Sequence, residues 1–264
     1  MYKTKKTEDG KIELWWKGET TLSLLGVYDS QEELDKAREQ VSKQEERSQF
    51  LSHTLKDGKR RKVVLREDET VTKKTSLKTV VISDDITQVG NLDVQQIDLL
   101  ISLGDLMDQM IFKAIEVYQP MHVLAVRGNH DNDEPFPKPI QDLHLRVTEI
   151  NCWLFSGFNG SWKYKEKGAY LYTQEQASRL LNRYPSVDVF ISHNSPWGVH
   201  ERDNHTHQGF NILTEYIERV QPRYFFHGHQ HVNQVTMIGN TKIVGVYGEA
   251  YLNIDLDGDV DDSR

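Results

Sequence analysis

The feature that most constrains this sequence is that five apolar runs each end in a side chain able to bind a metal ion. The runs begin near residues 79, 99, 123, 187 and 223. Their candidate ligands are Asp84, Asp105, Asn129, His193, and His229 with His231. Runs of this kind, separated by helical segments, predict buried parallel strands, and open α/β sheets bind ligands at the carboxyl ends of such strands. A single histidine after a strand is usually structural, but five strands ending this way predict a shared metal site.

The ligand types narrow the chemistry of that site. They combine oxygen and imidazole donors without sulfur, and Cys152 is the only cysteine in the chain. This mixture favours manganese, iron, cobalt, nickel or zinc over calcium. Two such ions about 3.5–4 Å apart, sharing one carboxylate, activate water and neutralise an oxyanion. Their commonest substrate is a phosphate ester, because its displacement needs charge stabilisation on both the entering and the leaving oxygen.

Charge and composition exclude some functions and indicate a compartment. Residues 1–77 hold 17 Lys and Arg against 15 Asp and Glu, a net charge of +2, whereas residues 78–264 hold 15 against 25, a net charge of −10. An acidic main domain is poorly suited to sequence-independent binding of nucleic acid. No apolar run exceeds six residues, and the first residues lack a secretory apolar segment. Together with the single cysteine, this predicts a cytoplasmic protein that does not enter membranes.

The pattern along the chain predicts two folded parts and a tail. Residues 11–28 alternate as extended structure, and a charged helix is predicted over residues 30–51. We therefore interpret residues 1–77 as a small α+β appendage of β-α-β type with a linker. Residues 78–256 form the predicted α/β catalytic domain, and residues 257–264 are an acidic tail. Within the domain, residues 110–118 are predicted to form a helix that Pro120 stops, and Gly239-Asn240 is predicted to join residues 234–238 and 241–247 as a hairpin.

At the strand-end motifs the sequence resembles the calcineurin-like metallophosphoesterases, whose small phosphodiesterases and phosphatases it is most similar to. The family's ordered blocks are Asp-x-His, Gly-Asp-x-x-Asp, Gly-Asn-His-Asp/Glu, a later His, and Gly-His-x-His. Four of these five blocks match in order over residues 80–247: Gly104–Asp108, Gly128–Asp131, His193 and Gly228–His231. The resemblance implies a β-sandwich flanked by helices, with layers in the order α/β/β/α.

The resemblance also implies a metal ligand set. Asp84 and His231 are expected to bind the first of two divalent ions, and Asp105 to bridge the two. The second ion is expected to complete its ligands with Asn129, His193 and His229. Manganese is the favoured metal, with iron, zinc, nickel and cobalt as alternatives.

Three further residues are expected to take part in catalysis. By the same resemblance, His130 stabilises the substrate phosphate and is the general acid for the leaving group. Asp108 and Asp131 are expected to support the site, with Asp108 orienting His130. His130 stands between ligand-bearing residues in the sequence, where a protonated imidazole can meet a leaving oxygen.

Six residues are candidates for substrate binding. Arg127 is a candidate contact for phosphate, and His207 is the preferred residue of the loop that follows His193. Phe158 and Asn159 follow a strand and, together with Trp162 and Tyr164, are candidates for an aromatic wall for a nucleobase. Packing or surface roles are the alternatives for all six.

One position departs from the family pattern, because the histidine of the first block is replaced by Ile86. Isoleucine cannot coordinate a metal, so we expect the first ion to bind weakly. The leading hypothesis is a dinuclear phosphoesterase acting on a small-molecule phosphodiester or phosphomonoester. The alternatives are a nuclease of the same superfamily, in which residues 1–77 help to hold nucleic acid, and a non-catalytic scaffold that has kept the fold.

Overall fold

The computed structural model describes residues 2–6, 12–17, 22–28, 30–32 and 76–255. The chain divides into two compact units, Met1–Thr70 and Val71–Arg264. Most of the predicted helix over residues 30–51 and the whole acidic tail lie outside the described residues. The predicted division at residue 77 therefore stays a prediction, although the first strand of the second unit already begins at Ser76.

The first unit contains a three-stranded antiparallel sheet. Its strands are β1 (Tyr2–Lys6), β2 (Ile12–Lys17) and β3 (Leu22–Tyr28), in the order β1-β2-β3. The register of β2 against β3 shifts between Leu14 and Trp15, which marks a β-bulge.

The second unit contains the remaining thirteen described strands and three α-helices. The strands are β4 (Ser76–Ser83), β5 (Leu99–Ser102), β6 (His122–Ala125), β7 (Gln141–Asp142), β8 (Thr148–Ile150), β9 (Trp153–Phe158), β10 (Ser161–Trp162), β11 (Leu171–Tyr172), β12 (Val189–Ser192), β13 (Tyr224–His227), β14 (Gln234–Ile238), β15 (Thr241–Gly245) and β16 (Gly248–Asp255). The helices are α1 (Asp108–Tyr118), α2 (Gln174–Leu181) and α3 (Asn211–Val220), and His205–His207 forms one 3-10 turn.

Two large sheets form the centre of this unit. One has the order β16-β4-β5-β6-β7 and the other β14-β15-β13-β12-β9-β8. β4, β5, β6 and β7 run parallel, as do β9, β12, β13 and β15. The antiparallel hairpin predicted at residues 239–240 is confirmed, because Ile238 of β14 pairs with Thr241 of β15.

Alternating side chains along the strands build three apolar layers, as the two-residue period of a strand requires. Val81 of β4 packs between the sheets, whereas Val80 and Ile82 point to a cluster that includes α1. In β12, Ile191 faces the inter-sheet core and Phe190 faces the cluster containing α2 and α3. The predicted order of helix, sheet, sheet and helix is therefore confirmed.

The helices have identifiable ends. The Thr173 hydroxyl oxygen caps α2 by accepting a hydrogen bond from Gln176 N. The Gln176 side-chain oxygen in turn accepts from the Thr173 N–H, and the two bonds form a capping box. α1 ends at Tyr118, as predicted from the proline at position 120. Across the described ranges, we find no helix long and apolar enough to cross a membrane.

Candidate metal centre

The parallel strands bring their carboxyl ends, and the predicted ligands that follow them, to one edge of the two sheets. Asp84 and Asp105 follow the neighbouring strands β4 and β5, and Asn129 follows β6. His193 and His229 follow β12 and β13, which are neighbours in the other sheet. The structure therefore gathers residues separated by up to 145 positions, with Asp84 Oδ2 accepting a hydrogen bond from His229 N at 3.0 Å.

Four of the six predicted ligands have a left-handed backbone. The φ angles are 62° at Asp84, 54° at Asp105, 62° at His229 and 51° at His231. A non-glycine residue pays about 1–2 kcal/mol for this conformation, and such strain clusters at functional sites. The repetition of this cost at predicted ligands supports a functional rather than a purely structural role for this edge.

The major ligand group consists of Asp105, Asn129, His193 and His229. One ligand atom each of Asp105, His193 and His229 lies within 4.8 Å of the other two. His193 Nε2 lies 3.4 Å from Asp105 Oδ2 and 3.1 Å from Asn129 Oδ1. Oxygen acceptors thus surround one imidazole nitrogen, which is the arrangement that a bound cation satisfies.

Hydrogen bonds to backbone carbonyls outside the major ligand group fix which ring nitrogen of each histidine is available to a metal ion. His193 Nδ1 donates to the Leu103 carbonyl at 2.9 Å, which leaves Nε2 directed at the group. His229 Nε2 donates to the Thr206 carbonyl at 3.2 Å, which leaves Nδ1 without a proton when the ring is neutral. Metal-binding histidines are commonly oriented in this way by a carbonyl on their other nitrogen.

The electrostatics of the major group combine two buried imidazoles with a carboxylate. Burial alone lowers the pKa of His193, but the neighbouring Asp105 carboxylate raises it to about 9. Burial and the nearby His193 charge lower the pKa of His229 to about 3. Burial raises the pKa of Asp105, but interactions with His193 outweigh it and hold the pKa well below the usual range. The Asp105 carboxylate therefore favours positive charge in the position beside it.

The minor ligand group consists of Asp84 and His231. Asp84 Oδ2 accepts from Ser83 Oγ at 2.5 Å, whereas the buried Asp84 Oδ1 has no hydrogen-bond partner. His231 Nε2 lies 3.5 Å from that oxygen, and the His231 side chain is 42% exposed. A buried carboxylate oxygen without a hydrogen bond is costly, so Asp84 Oδ1, whose near neighbour is His231, also matches a metal ligand.

The Ile86 position is occupied by an apolar side chain that is 41% exposed. Its polar neighbours bond to one another, because Asp85 accepts from the backbone and hydroxyl of Thr87 and from Gln88 Nε2. These residues therefore do not replace the missing histidine in the structure.

Two glycines allow the strand ends to approach closely. A Cβ at Gly128 would lie 2.0 Å from Asp105 Oδ1 and 2.6 Å from Asp105 N. A Cβ at Gly228 would lie 2.0 Å from Ser83 Oγ and 2.6 Å from Asp84 Oδ2. Each ligand group thus depends on one position where only a hydrogen fits beside its carboxylate.

The predicted catalytic residues have different surroundings. The backbone N–H of His130 donates to Asp105 Oδ1 at 2.8 Å, and the residue is exposed to solvent. Asp131 Oδ2 accepts from Asp105 N and Gly128 N at 2.9 and 2.7 Å, which ties the ends of β5 and β6 together. Burial, its largest influence, raises the pKa of Asp131.

Asp108 is not placed as predicted. Both of its oxygens accept from the Arg127 guanidinium, at 2.6 and 3.4 Å, rather than from His130. Arg127 is 2% exposed, donates to the Glu134 carbonyl and stacks over the Phe136 ring at 3.6 Å. A buried cation needs such a partner, so the structure pairs Asp108 with Arg127 instead of with His130. The contact of Arg127 with substrate stays a prediction.

The predicted substrate wall is also corrected in part. Phe158 is fully buried and packs edge-on against Phe210 at 5.8 Å, so it belongs to the core. Asn159 is 3% exposed, and its side-chain oxygen accepts from Arg127 N at 2.9 Å. His207 does lie beside the predicted ligands, with ring centroids 4.9 Å from His229 and 5.8 Å from His231.

Sequence reasoning missed one aromatic residue at this edge. Tyr247 packs against His231 with the two rings tilted by 31° and their centroids 4.9 Å apart. It follows β15, which runs parallel to β13 even though it pairs antiparallel with β14. Treating residues 241–247 only as part of a hairpin concealed that this strand also delivers its carboxyl end to the site.

Comparison with known proteins agrees with the geometry. The family model for the calcineurin-like phosphoesterase superfamily domain matches residues 80–251. The UPF0046 protein K07C11.7 of Caenorhabditis elegans is 27% identical over 198 residues, which cover 64% of this chain and 68% of that protein.

Solved structures of low sequence identity resemble about two thirds of this chain. One is 16% identical, has a TM-score of 0.50, and aligns over 67% of this chain and 94% of the other. The phosphopantetheinyl hydrolase PptH of Mycobacterium tuberculosis is 12% identical with a TM-score of 0.45, over 64% of this chain and 89% of the other. The protein TT1561 of Thermus thermophilus is 16% identical with a TM-score of 0.43, over 65% of this chain and 89% of the other. The first of these supports the fold alone.

Proposed function

Because this chain belongs to the calcineurin-like phosphoesterase superfamily, we propose that it hydrolyses a small phosphodiester or phosphomonoester with the help of two divalent metal ions. The family is one of metal-dependent phosphoesterases, and the major ligand group is a cluster suited to a divalent ion. The observation that carries the proposal is this cluster of one carboxylate and two oriented imidazoles, with Asn129 Oδ1 beside it.

Each ligand group would hold one ion. Asp105, Asn129, His193 and His229 would bind the tighter ion, and Asp84 with His231 the weaker one, with Asp105 between them. The mixed oxygen and nitrogen ligands favour manganese, with iron, zinc, nickel and cobalt as alternatives. When bound, the ions supply Lewis-acid charge that activates water and neutralises the phosphoryl oxygens.

The chain's own residues supply the remaining chemistry. Asp105 fixes the backbone of His130 while leaving the histidine exposed, so the imidazole can reach a bound ester. In this role a protonated His130 donates its proton to the leaving oxygen. Asp131 holds the backbone of Asp105 and Gly128 in register, which keeps His130 at a fixed distance from the ligands.

A small phosphate ester is the proposed substrate rather than a nucleic acid. The net charge of −10 over residues 78–264 opposes the binding of a polyanionic strand. A non-catalytic scaffold is a second candidate, and the exposed Ile86 in the minor ligand group is the observation that favours it.

Hydrolysis of bis(p-nitrophenyl) phosphate and p-nitrophenyl phosphate by metal-stripped protein tests the proposal. Manganese, nickel, cobalt, zinc and magnesium are added back singly, and His130→Ala is compared with His122→Ala. His122 is exposed at the opposite end of β6, so it is a matched histidine outside the site.

We expect metal-dependent turnover that falls about 100-fold or more in His130→Ala, the usual range for a general acid, and stays unchanged in His122→Ala. The preferred ester separates a diesterase from a monoesterase. Folded protein without turnover under any metal would contradict the enzyme and favour the scaffold.

A further inference from the structure

The side chain of Tyr164 reaches the major ligand group from a segment that carries none of the ligands. Its hydroxyl lies 3.3 Å from Nδ2 of Asn129, and Tyr164 is half-buried, so the ring is still open to solvent. We propose that Tyr164 is a further catalytic residue, whose hydroxyl donates a hydrogen bond to a phosphoryl oxygen of the substrate. The proposal rests on the phosphoesterase function proposed above and adds a contact to it.

The direction of the hydrogen bond leaves the tyrosine proton free for this role. The Asn129 amide nitrogen can only donate, so the Tyr164 oxygen accepts. Asn129 Oδ1 is directed the other way, towards His193 Nε2 at 3.1 Å. Within residues 76–255, this is the one hydrogen bond seen for the Tyr164 hydroxyl, and its own hydrogen remains available for an acceptor.

The position of the Tyr164 hydroxyl suits a contact with a phosphate held at the ligands. A phosphoryl group that reacts at the metal centre has to come close to the ligands, and Asn129 is one of the predicted ligands. The Tyr164 hydroxyl, which lies 3.3 Å from Nδ2 of Asn129, is therefore next to the position where the substrate would bind. The bond between a neutral hydroxyl and an anionic oxygen is charge-assisted and strengthens as charge develops in the transition state.

The neighbours of Tyr164 suit an anionic ligand. Lys165 Nζ lies 5.0 Å from the centre of the Tyr164 ring, which brings a positive charge to this side of an otherwise acidic unit. Trp162, two residues earlier, stands edge-on to His205 with ring centroids 6.0 Å apart. Lys165 therefore adds a positive charge, and the Tyr164 hydroxyl a donor, beside the major ligand group.

The alternative is that Tyr164 only positions Asn129, and the two roles predict different measurements. A hydroxyl that acts only by orienting the amide would affect the binding of metal. A hydroxyl that contacts phosphate would affect the binding of phosphate when metal is already saturating. Tyr164→Phe removes the hydroxyl and keeps the ring, so it separates the roles with little change in packing.

The test compares wild type, Tyr164→Phe and Tyr251→Phe by calorimetric titration. Manganese is titrated into metal-stripped protein, and inorganic phosphate is then titrated into the manganese-saturated protein. Tyr251 is 43% exposed on β16 and pairs with Val80 near the middle of that strand, so it is a matched tyrosine away from the ligands. Thermal unfolding verifies that the variants are folded.

We expect Tyr164→Phe to weaken the binding of inorganic phosphate about tenfold or more at saturating manganese, as the loss of a hydrogen bond to a charged group predicts. Tyr251→Phe should bind phosphate as wild type does. Unchanged phosphate affinity in Tyr164→Phe would overturn the proposal, whether or not manganese affinity falls. Absence of ester hydrolysis in wild type would instead count against the phosphoesterase function, and the phosphate titration would still decide the role of Tyr164.

Discussion

The major and minor ligand groups occupy the same edge of the sandwich but differ in the number of their ligands and in the burial of their histidines. The major group has four residues, and its His193 is fully buried with both ring nitrogens engaged. The minor group has two residues, and the His231 side chain is 42% exposed. Ile86, the one departure from the family motif, follows Asp84 of the minor group by two residues. The comparison supports the proposal that this substitution weakens metal binding at the minor group and leaves the major group complete.

The hydrogen bonds that hold the carboxylate of each group in place are more alike than the ligand groups themselves. Asp105 is held through Asp131 and His130, and Asp84 through Ser83 and the backbone of His229. A left-handed backbone is also present in both groups. The minor group therefore has the hydrogen bonds and backbone conformation of a ligand site, and it differs from the major group in having fewer ligands.

The largest expected difference is between His193→Ala and His231→Ala. His193→Ala removes an oriented ligand from the buried group, so we expect the tighter manganese ion to bind more than about 100-fold more weakly, since even outer partners of ligands cost 10–100-fold. We expect the His231→Ala change to leave that ion within about tenfold of wild type. Calorimetric titration of manganese measures both effects, with His122→Ala as the control. Equal losses in the two variants would break the distinction between the groups.

Alanine substitutions at Gly128 and Gly228 should lower the free energy of unfolding by different amounts. In Gly128→Ala the new Cβ meets a side-chain oxygen of Asp105 and also the Asp105 backbone nitrogen, and the backbone cannot rotate away. In Gly228→Ala the nearest atom is the Ser83 hydroxyl oxygen, which can move by rotation of the side chain. We expect the free energy of unfolding to fall by about 1–3 kcal/mol for Gly128→Ala, and by less for Gly228→Ala. Urea unfolding of metal-free protein measures this, and the reverse order would contradict it.

The smallest expected effect comes from restoring the missing ligand. Ile86→His should tighten the weaker manganese ion by about tenfold, because one added ligand completes a centre whose Asp84 oxygen is unpaired. Ile86→Ala is the matched control, since it removes the apolar side chain without adding a ligand. Two-site titration and ester hydrolysis would report the change. A histidine variant that behaves like the alanine variant would show that Ile86 is not what weakens the minor group.

Much of this architecture was readable from the sequence. The apolar runs that end in Asp84, Asp105 and His193 predict the parallel strands and their shared edge, because a buried strand must be apolar and its ligands follow it. The hairpin at residues 239–240 and the end of α1 are likewise local signals. Local sequence therefore predicts which residues reach the site edge, even though they lie far apart in the chain.

Partnerships between side chains were not readable in the same way. Arg127 and Asp108 are paired with each other, Phe158 is buried, and Tyr164 is bonded to Asn129. Each of these outcomes depends on which segments pack against one another, and a residue's own neighbours in sequence carry no record of that. Tyr247 was missed for the same reason, since only the pairing of β15 with β13 directs it to the site.

The sequence by itself determined the main parallel strands and the edge at which the candidate ligands collect. Tertiary structure alone decided which imidazole nitrogen faces the centre, which carboxylate oxygen is left unpaired, and which tyrosine stands beside the ligands. The physical reason is that strand period and burial are fixed by short-range alternation along the chain. Hydrogen-bond direction and burial of single polar atoms are fixed by groups that meet only after the two sheets have packed.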